Sequence, residues 1–199
     1  MRRVQLIAQS VALASLMGLG TTSLAAKPVS VDIVPQDSTV SFKGSTLRNL
    51  VRFDGSGAGV VGKFKITSTK VIEGQATFPL DNLKLDLDTR ATHMKEDLEV
   101  TKFPEAKFIP TNLPWEDPSK VLTQNTEDLP FEGKMTLHGV EKPVKGTVST
   151  KKDSDRVEYK FNFKVLLTDF GINRRKHLGL QVGDEFEVEV KTLAKVVPL

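Results

Sequence analysis

The residues in this sequence whose type could support chemistry begin with three histidines, His93, His138 and His177, set far apart along the chain. His93 and Asp97 are four residues apart, so on a helix they share a face and could offer two ligands to a metal ion. A protein metal site needs further ligands, and nothing in the sequence nominates them, so no metal and no cofactor is expected. The plainer reading of His93 is a hydrogen-bonding side chain in the mouth of a barrel.

Other catalytic arrangements are weaker still. The chain has no cysteine, which excludes thiol nucleophiles, disulfides and zinc ribbons. No Gly-x-Ser-x-Gly elbow, Walker loop or dinucleotide fingerprint is present. The carboxylates Asp81, Asp86, Asp88, Glu96 and Asp97 are expected mostly on alternating strand positions that face solvent. Arg174-Arg175-Lys176 reads as a solvated basic loop. No enzyme emerges from this inventory.

What stands out is aromatic. There are 11 phenylalanines, and only Trp115 and Tyr159 add a polar handle to an aromatic ring. Phe42, Phe64, Phe78, Phe131, Phe161, Phe163 and Phe186 fall on the apolar side of alternating segments. Such a set either fills a core or lines a cavity, because a small barrel can do both. Periodicity does not choose between them.

The elements that must position these residues are strands. The clearest run is Val157, Tyr159, Phe161, Phe163, Val165 and Leu167, with Glu158, Lys160, Asn162 and Lys164 between them. Phe186, Val188 and Val190 alternate likewise with Glu185, Glu187 and Glu189. Turn signals are read at 54–57, 73–74, 110–118, 138–139, 151–155 and 183–184. The pattern predicts eight or nine short strands, the signature of an antiparallel barrel or sandwich. One segment departs from it: Thr92 to Val100 predicts a short helix with Thr92 as cap and Met94 and Leu98 on one face, before Pro104. A second, Ile172 to Gly179, reads as a loop or single turn.

Residues 1–25 read as a cleaved secretory leader: Arg2 and Arg3, a mostly apolar stretch from Leu6 to Gly20, then Ser23-Leu24-Ala25 before the cut. The mature chain, 26–199, is expected to be a single domain outside the cytoplasm, in the periplasm of a Gram-negative host. Without Arg2 and Arg3, the 28 basic residues become 26 against 25 acidic ones, a balance that gives no reason to expect nucleic acid.

The residues from Arg90 onward bring a family into view. Arg90-Ala91-Thr92-His93-Met94 with Lys102-Phe103-Pro104, Gly133 through Val144 around His138-Gly139, Asp169-Phe170-Gly171, and Val182-Gly183-Asp184-Glu185-Phe186 resemble, in order, the motifs of the YceI-like family. Ala91 stands where that family usually has Asp or Asn. The resemblance implies an all-β fold, an extended antiparallel eight-stranded lipocalin-like barrel with a short helix at one end. It also implies a non-catalytic protein that holds a long-chain apolar lipid, a polyisoprenoid, isoprenoid quinone or fatty amide. With parity, it nominates Phe42, Phe64, Phe78, Leu85, Phe108, Leu137, Phe161 and Phe163 as tunnel lining, and Arg90 and His93 as headgroup contacts. A lipid-modifying enzyme using His93 and a cavity-free interaction barrel are the alternatives. A membrane-protein partner and a homodimer stay open.

Overall fold

The computed structural model describes residues 27–46, 51–68, 70, 72–177 and 179–199; the expected leader lies outside them. In chain order the elements are β1 (Val29–Ser45), β2 (Arg52–Ala58), β3 (Val61–Ile66), β4 (Ile72–Pro79), β5 (Lys84–Leu85), α1 (Asp88–Asp97) and β6 (Glu105–Asn112). Then follow β7 (Thr126–Leu137), β8 (Val140–Asp153), β9 (Arg156–Leu166), β10 (Lys176–His177), β11 (Leu180–Gln181) and β12 (Glu185–Pro198). The main sheet runs β12-β9-β8-β7-β6-β4-β3-β1-β2-β5, and β1 also pairs with β12, which closes the eight strands from β12 to β1 into a ring. Eight antiparallel strands therefore form a barrel, and the closure leaves no unpaired edge along that seam.

Alternation is what closes it. On β9, Val157, Tyr159 and Val165 are buried while Glu158 and Lys164 are exposed. On β12, Phe186, Thr192, Ala194 and Val196 are buried while Glu185, Glu187, Lys191 and Lys195 face out. The two sets meet in register, Phe186 opposite Val165 and Ala194 opposite Val157. Each strand thus contributes one apolar face to a common interior.

Strand β1 changes its inward parity partway along. Val29 and Val31 are buried in its first half, Val40 and Phe42 in its second. The pairing with β12 shifts between Val34 and Ser38, a bulge that turns the strand over. Ser38, fully buried, donates to the Pro35 carbonyl at 2.7 Å and accepts from the Val60 amide at 2.8 Å.

Several expectations need correction. The glycines at 54–57 are not in a turn but in the middle of β2. Gly55 lies opposite Phe42 in the ladder, and a Cβ there would collide with the Phe42 ring; a Cβ at Gly57 would lie 2.5 Å from Phe78 Cζ. Glycine is used here so that two rings can lie against the backbone. Gly74, expected in a turn, is inside β4 at φ +121. Pro110 likewise lies within β6, paired with Gly133 beside a bulge. The 151–155 segment is mostly strand, since β8 continues to Asp153 and reverses at Ser154 with φ 55.

Helix α1 starts four residues before the expected cap. Thr92 is interior to it, and its hydroxyl donates to the Asp88 carbonyl at 3.0 Å. Asp88, Glu96 and Asp97 are helical, Asp81 lies in the 3-10 turn Leu80–Asn82 and Asp86 just precedes α1, so none of these carboxylates is on a strand. The segment read as a loop or turn includes the short strand β10, which pairs antiparallel with β11 just beyond it. The turn at His138-Gly139 is a tight hairpin between β7 and β8 with both φ values positive, 51 and 74.

Candidate functional site

Inward-facing side chains near the middle of the barrel are not fully covered. Ala106, Met135, Phe161, Phe163, Val188 and Val190 are only half-buried. A residue that faces a closed interior keeps accessible surface only where that interior is hollow. Two cavities of ≈190 Å³ and ≈140 Å³ account for it. Val40, Phe78, Ala106, Met135 and Val188 line both and form a waist between them. A cavity of about 150 Å³ lined by hydrocarbon takes a benzene-sized guest, so two in series suit a longer, slender one.

The first cavity lies at the α1 end. One face of α1 presents Arg90, His93, Met94 and Asp97 to it, at helical spacings of three, four and seven. Opposite them come Asn173 and Arg175, from the segment after the 3-10 turn Leu167–Phe170. Arg175 donates to Asp97 through Nε at 3.1 Å and Nη2 at 2.9 Å, and Nη2 reaches Glu96 at 3.0 Å. The hydrogen bonds to Asp97 raise the guanidinium pKa further, so it stays charged. Arg175 in the expected solvated loop is thus also ion-paired, and the Asp97 carboxylate is committed to it. Arg90 donates to Asp86 at 2.6 Å. His93 borders the cavity from an exposed position. Among the described residues, no group of three or more His, Asp or Glu could hold a metal ion.

Helix α1 buries no residue within its own length and has no side-chain cap at Leu87. Polar ties hold it: Arg175 at its C-terminal end, and Lys95, which donates to the Asp81 carbonyl at 2.5 Å. Around the same end, widely separated segments interlock. The His138 ring Nδ1 faces the Phe170 carbonyl at 3.1 Å, which places a proton on Nδ1. Phe103 packs edge-on against that ring at 5.0 Å. Asp184 accepts from the Thr168 amide at 2.9 Å and hydroxyl at 2.6 Å. Partial burial opposes ionisation of Asp184, but these bonds outweigh it and hold the carboxyl below its ordinary value.

The second cavity is almost wholly hydrocarbon, walled by an aromatic array. Phe131 meets Phe161 edge-on at 5.2 Å and Phe108 at 5.8 Å. Its far end is covered by buried Leu113 and Trp115 and by the 3-10 turn Pro118–Leu122, whose Val121 is also buried. The Asp117 side chain caps that turn, accepting from the Ser119 hydroxyl at 2.8 Å and amide at 3.0 Å. Trp115 and Tyr159 meet edge-on at 6.2 Å. Trp115 Nε1 and Tyr159 Oη are both buried and have no hydrogen-bond partner among the described residues. Leaving such a donor unsatisfied costs about 1–3 kcal/mol. Burial pushes the Tyr159 phenol pKa up, so it stays a protonated donor.

The structure brings all ten nominated residues to these two hollows. Phe42, Leu85, Arg90, His93 and Leu137 line the first, Phe64, Phe108, Phe161 and Phe163 the second, and Phe78 both. Sequence reasoning did not nominate Phe53, Arg175 and Val182 at the mouth, or Trp115, Tyr159 and Thr192 deeper in. Phe53 was hidden beside a stretch that reads as a turn. Tyr159 shared the parity of Phe161 and Phe163, a signal that was sufficient to find it.

A model of the YceI-like domain matches residues 32–194. No curated protein matches the sequence. Among solved structures, the polyisoprenoid binding domain from Saccharophagus degradans implicated in plant cell wall breakdown aligns with a TM-score of 0.63 at 14% identity, covering 84% of this chain and 98% of that one. BcnA of Burkholderia cenocepacia aligns at 0.64 and 15% identity, over 82% of this chain and 100% of its own. The Campylobacter jejuni YCEI protein aligns at 0.51 and 17% identity, over 71% and 83% respectively. At such identities the likeness establishes the barrel alone. The domain match spans most of the sequence and the closed eight-stranded barrel agrees with it, so the chain belongs to the YceI-like family.

Proposed function

We propose that this protein is a non-catalytic carrier that holds one long-chain apolar lipid, of polyisoprenoid, isoprenoid quinone or fatty amide type, along the two joined cavities. The observation that carries this reading is the shared waist: hydrocarbon walls continue from one hollow into the next. Each methylene removed from water contributes roughly 0.8 kcal/mol, offset in part by lost chain freedom. A water-facing barrel can retain such a molecule without a covalent bond. Arg90 and His93 contact the headgroup at the mouth, where they already border the cavity. The similar fold of the Saccharophagus degradans polyisoprenoid binding domain supports the ligand class. Residues 1–25, with their arginine start and apolar run, support export and a periplasmic site of action. No nucleic acid takes part.

The test is displacement of a fluorescent long-chain probe from delipidated protein. Phe161→Asp puts a carboxylate into the aromatic wall and is expected to abolish binding. Ala106→Phe, which narrows the waist without adding charge, is expected to shorten the chain that the barrel accepts. A folded Phe161→Asp protein that binds like the parent overturns the proposal.

A further inference from the structure

Behind the wall of the first cavity, His138 joins segments that are remote in sequence. Its Nδ1–H donates to the Phe170 carbonyl at 3.1 Å, and Phe103 lies edge-on to the ring at 5.0 Å. Its Nε2 is buried and has no hydrogen-bond partner among the described residues; it stands 3.7 Å from Glu99 Oε2, too far for a hydrogen bond. Both members of that pair hold left-handed backbone, φ 51 at His138 and φ 47 at Glu99, two of the four non-glycine residues described with positive φ. Such conformations cost energy and persist where the surroundings impose them. Each segment that meets the ring also lines the cavity within two residues: Leu98 beside Glu99, Leu137 beside His138, and Ile172 beyond Phe170.

We infer that His138 is a proton-operated latch on the first cavity: a proton on Nε2 draws in Glu99 and slows release of the guest. With Nδ1 protonated, the neutral ring turns an acceptor toward a carboxylate, and two acceptors do not bond. A second proton makes Nε2 a donor, and the contact becomes a charge-assisted hydrogen bond. Histidine is the side chain suited to take up such a proton between about pH 8 and about pH 5. Glu99 directly follows Leu98, the C-cap of α1, so closure draws that end of the helix toward the β7–β8 hairpin and the turn Leu167–Phe170. The charged groups around the latch leave Glu99 as its partner. Lys102 is 3.4 Å from the same Glu99 oxygen and also lies over the Phe103 ring, so it holds Glu99 while the imidazole is neutral. On the hairpin, Glu141 is paired with Lys134 at 2.9 Å; on the turn, Asp169 is exposed; on α1, Glu96 and Asp97 are held by Arg175. The inference rests on the lipid-holding reading for its effect on a guest, and adds regulation to it.

The test is release of parinaryl alcohol, a slender fluorescent chain with no charge to titrate, into phosphatidylcholine vesicles. Release from the parent is expected to slow about fivefold from about pH 8 to about pH 5.5, the modest size reflecting an exposed carboxylate. His138→Asn removes the titrating ring and keeps a residue that tolerates left-handed backbone. Glu99→Gln keeps an acceptor and removes its charge. Each is expected to release the probe at nearly one rate across that range. A second readout needs no guest: in delipidated protein, the methyl NMR signals of Leu98, Leu137 and Ile172 are expected to move with the His138 ring as it titrates, and to stay still in Glu99→Gln. A pH dependence of release that survives both substitutions, or that disappears with His93→Gln instead, overturns the latch and leaves lipid holding intact. Methyl signals that ignore the His138 titration overturn the latch as well. Methyl signals that follow it while no probe binds support the latch and overturn lipid holding.

Discussion

The Arg175 guanidinium grips the Asp97 carboxylate through Nε at 3.1 Å and Nη2 at 2.9 Å, joining residues 78 positions apart across the mouth of the first cavity. A helix with no buried residue of its own is thereby fastened to the segment that follows β9. The pair is partly solvated, with side-chain exposures of 36% and 27%, so its value lies in position more than in stability. Arg175→Gln is expected to leave Tm nearly unchanged and to speed probe release up to about fivefold, measured by stopped-flow displacement.

Gly55 is occupied by its neighbour's ring. Gly55→Ala drives a methyl into Phe42 and should cost about 1–3 kcal/mol in chemical denaturation, because the ring can yield only by moving into the first cavity. The same variant should bind bulky chains less well than the parent.

At the waist, Ala106→Phe should shorten the guest that the barrel accepts. Ala106 borders both hollows and is half-buried, so a larger side chain has somewhere to go. Affinity in the parent should rise with chain length and then level off. In the variant the plateau should come several carbons earlier, as read by probe displacement.

Low pH should loosen the Asp184 clamp on Thr168. The folded carboxyl lies below its ordinary value of 3.8, so its stabilisation is complete above that value. It is lost as pH falls through the lower folded value. Tm measured from about pH 5 to about pH 2 should fall less steeply in Asp184→Asn than in the parent, and the variant should already be less stable at neutral pH.

The strands were legible because charge and hydrocarbon alternate so strictly along them; Glu185 through Val190 could hardly be anything else. The bulge after Val34 was not, since the Ser38 hydroxyl that fixes it finds its partner in Val60, a contact made only on folding. The glycines of β2 misled for a related reason. Local rules read Gly55 and Gly57 as a turn, while their use is to admit Phe42 and Phe78 from other strands. Cavity-lining phenylalanines could be nominated by parity and resemblance together. Arg175 could not, because a run of three basic residues gives no sign of which one meets a carboxylate on a distant helix. Trp115 and Tyr159 were visible as the two aromatic residues with polar handles, but their approach depends on how residues 113–122 cover the barrel end.

The most direct measurement is organic extraction of the native protein, purified from its own host without detergent, followed by mass spectrometry. The account predicts a long-chain lipid recovered at about one molecule per chain. Protein that yields no lipid, yet folds into the same barrel, contradicts it.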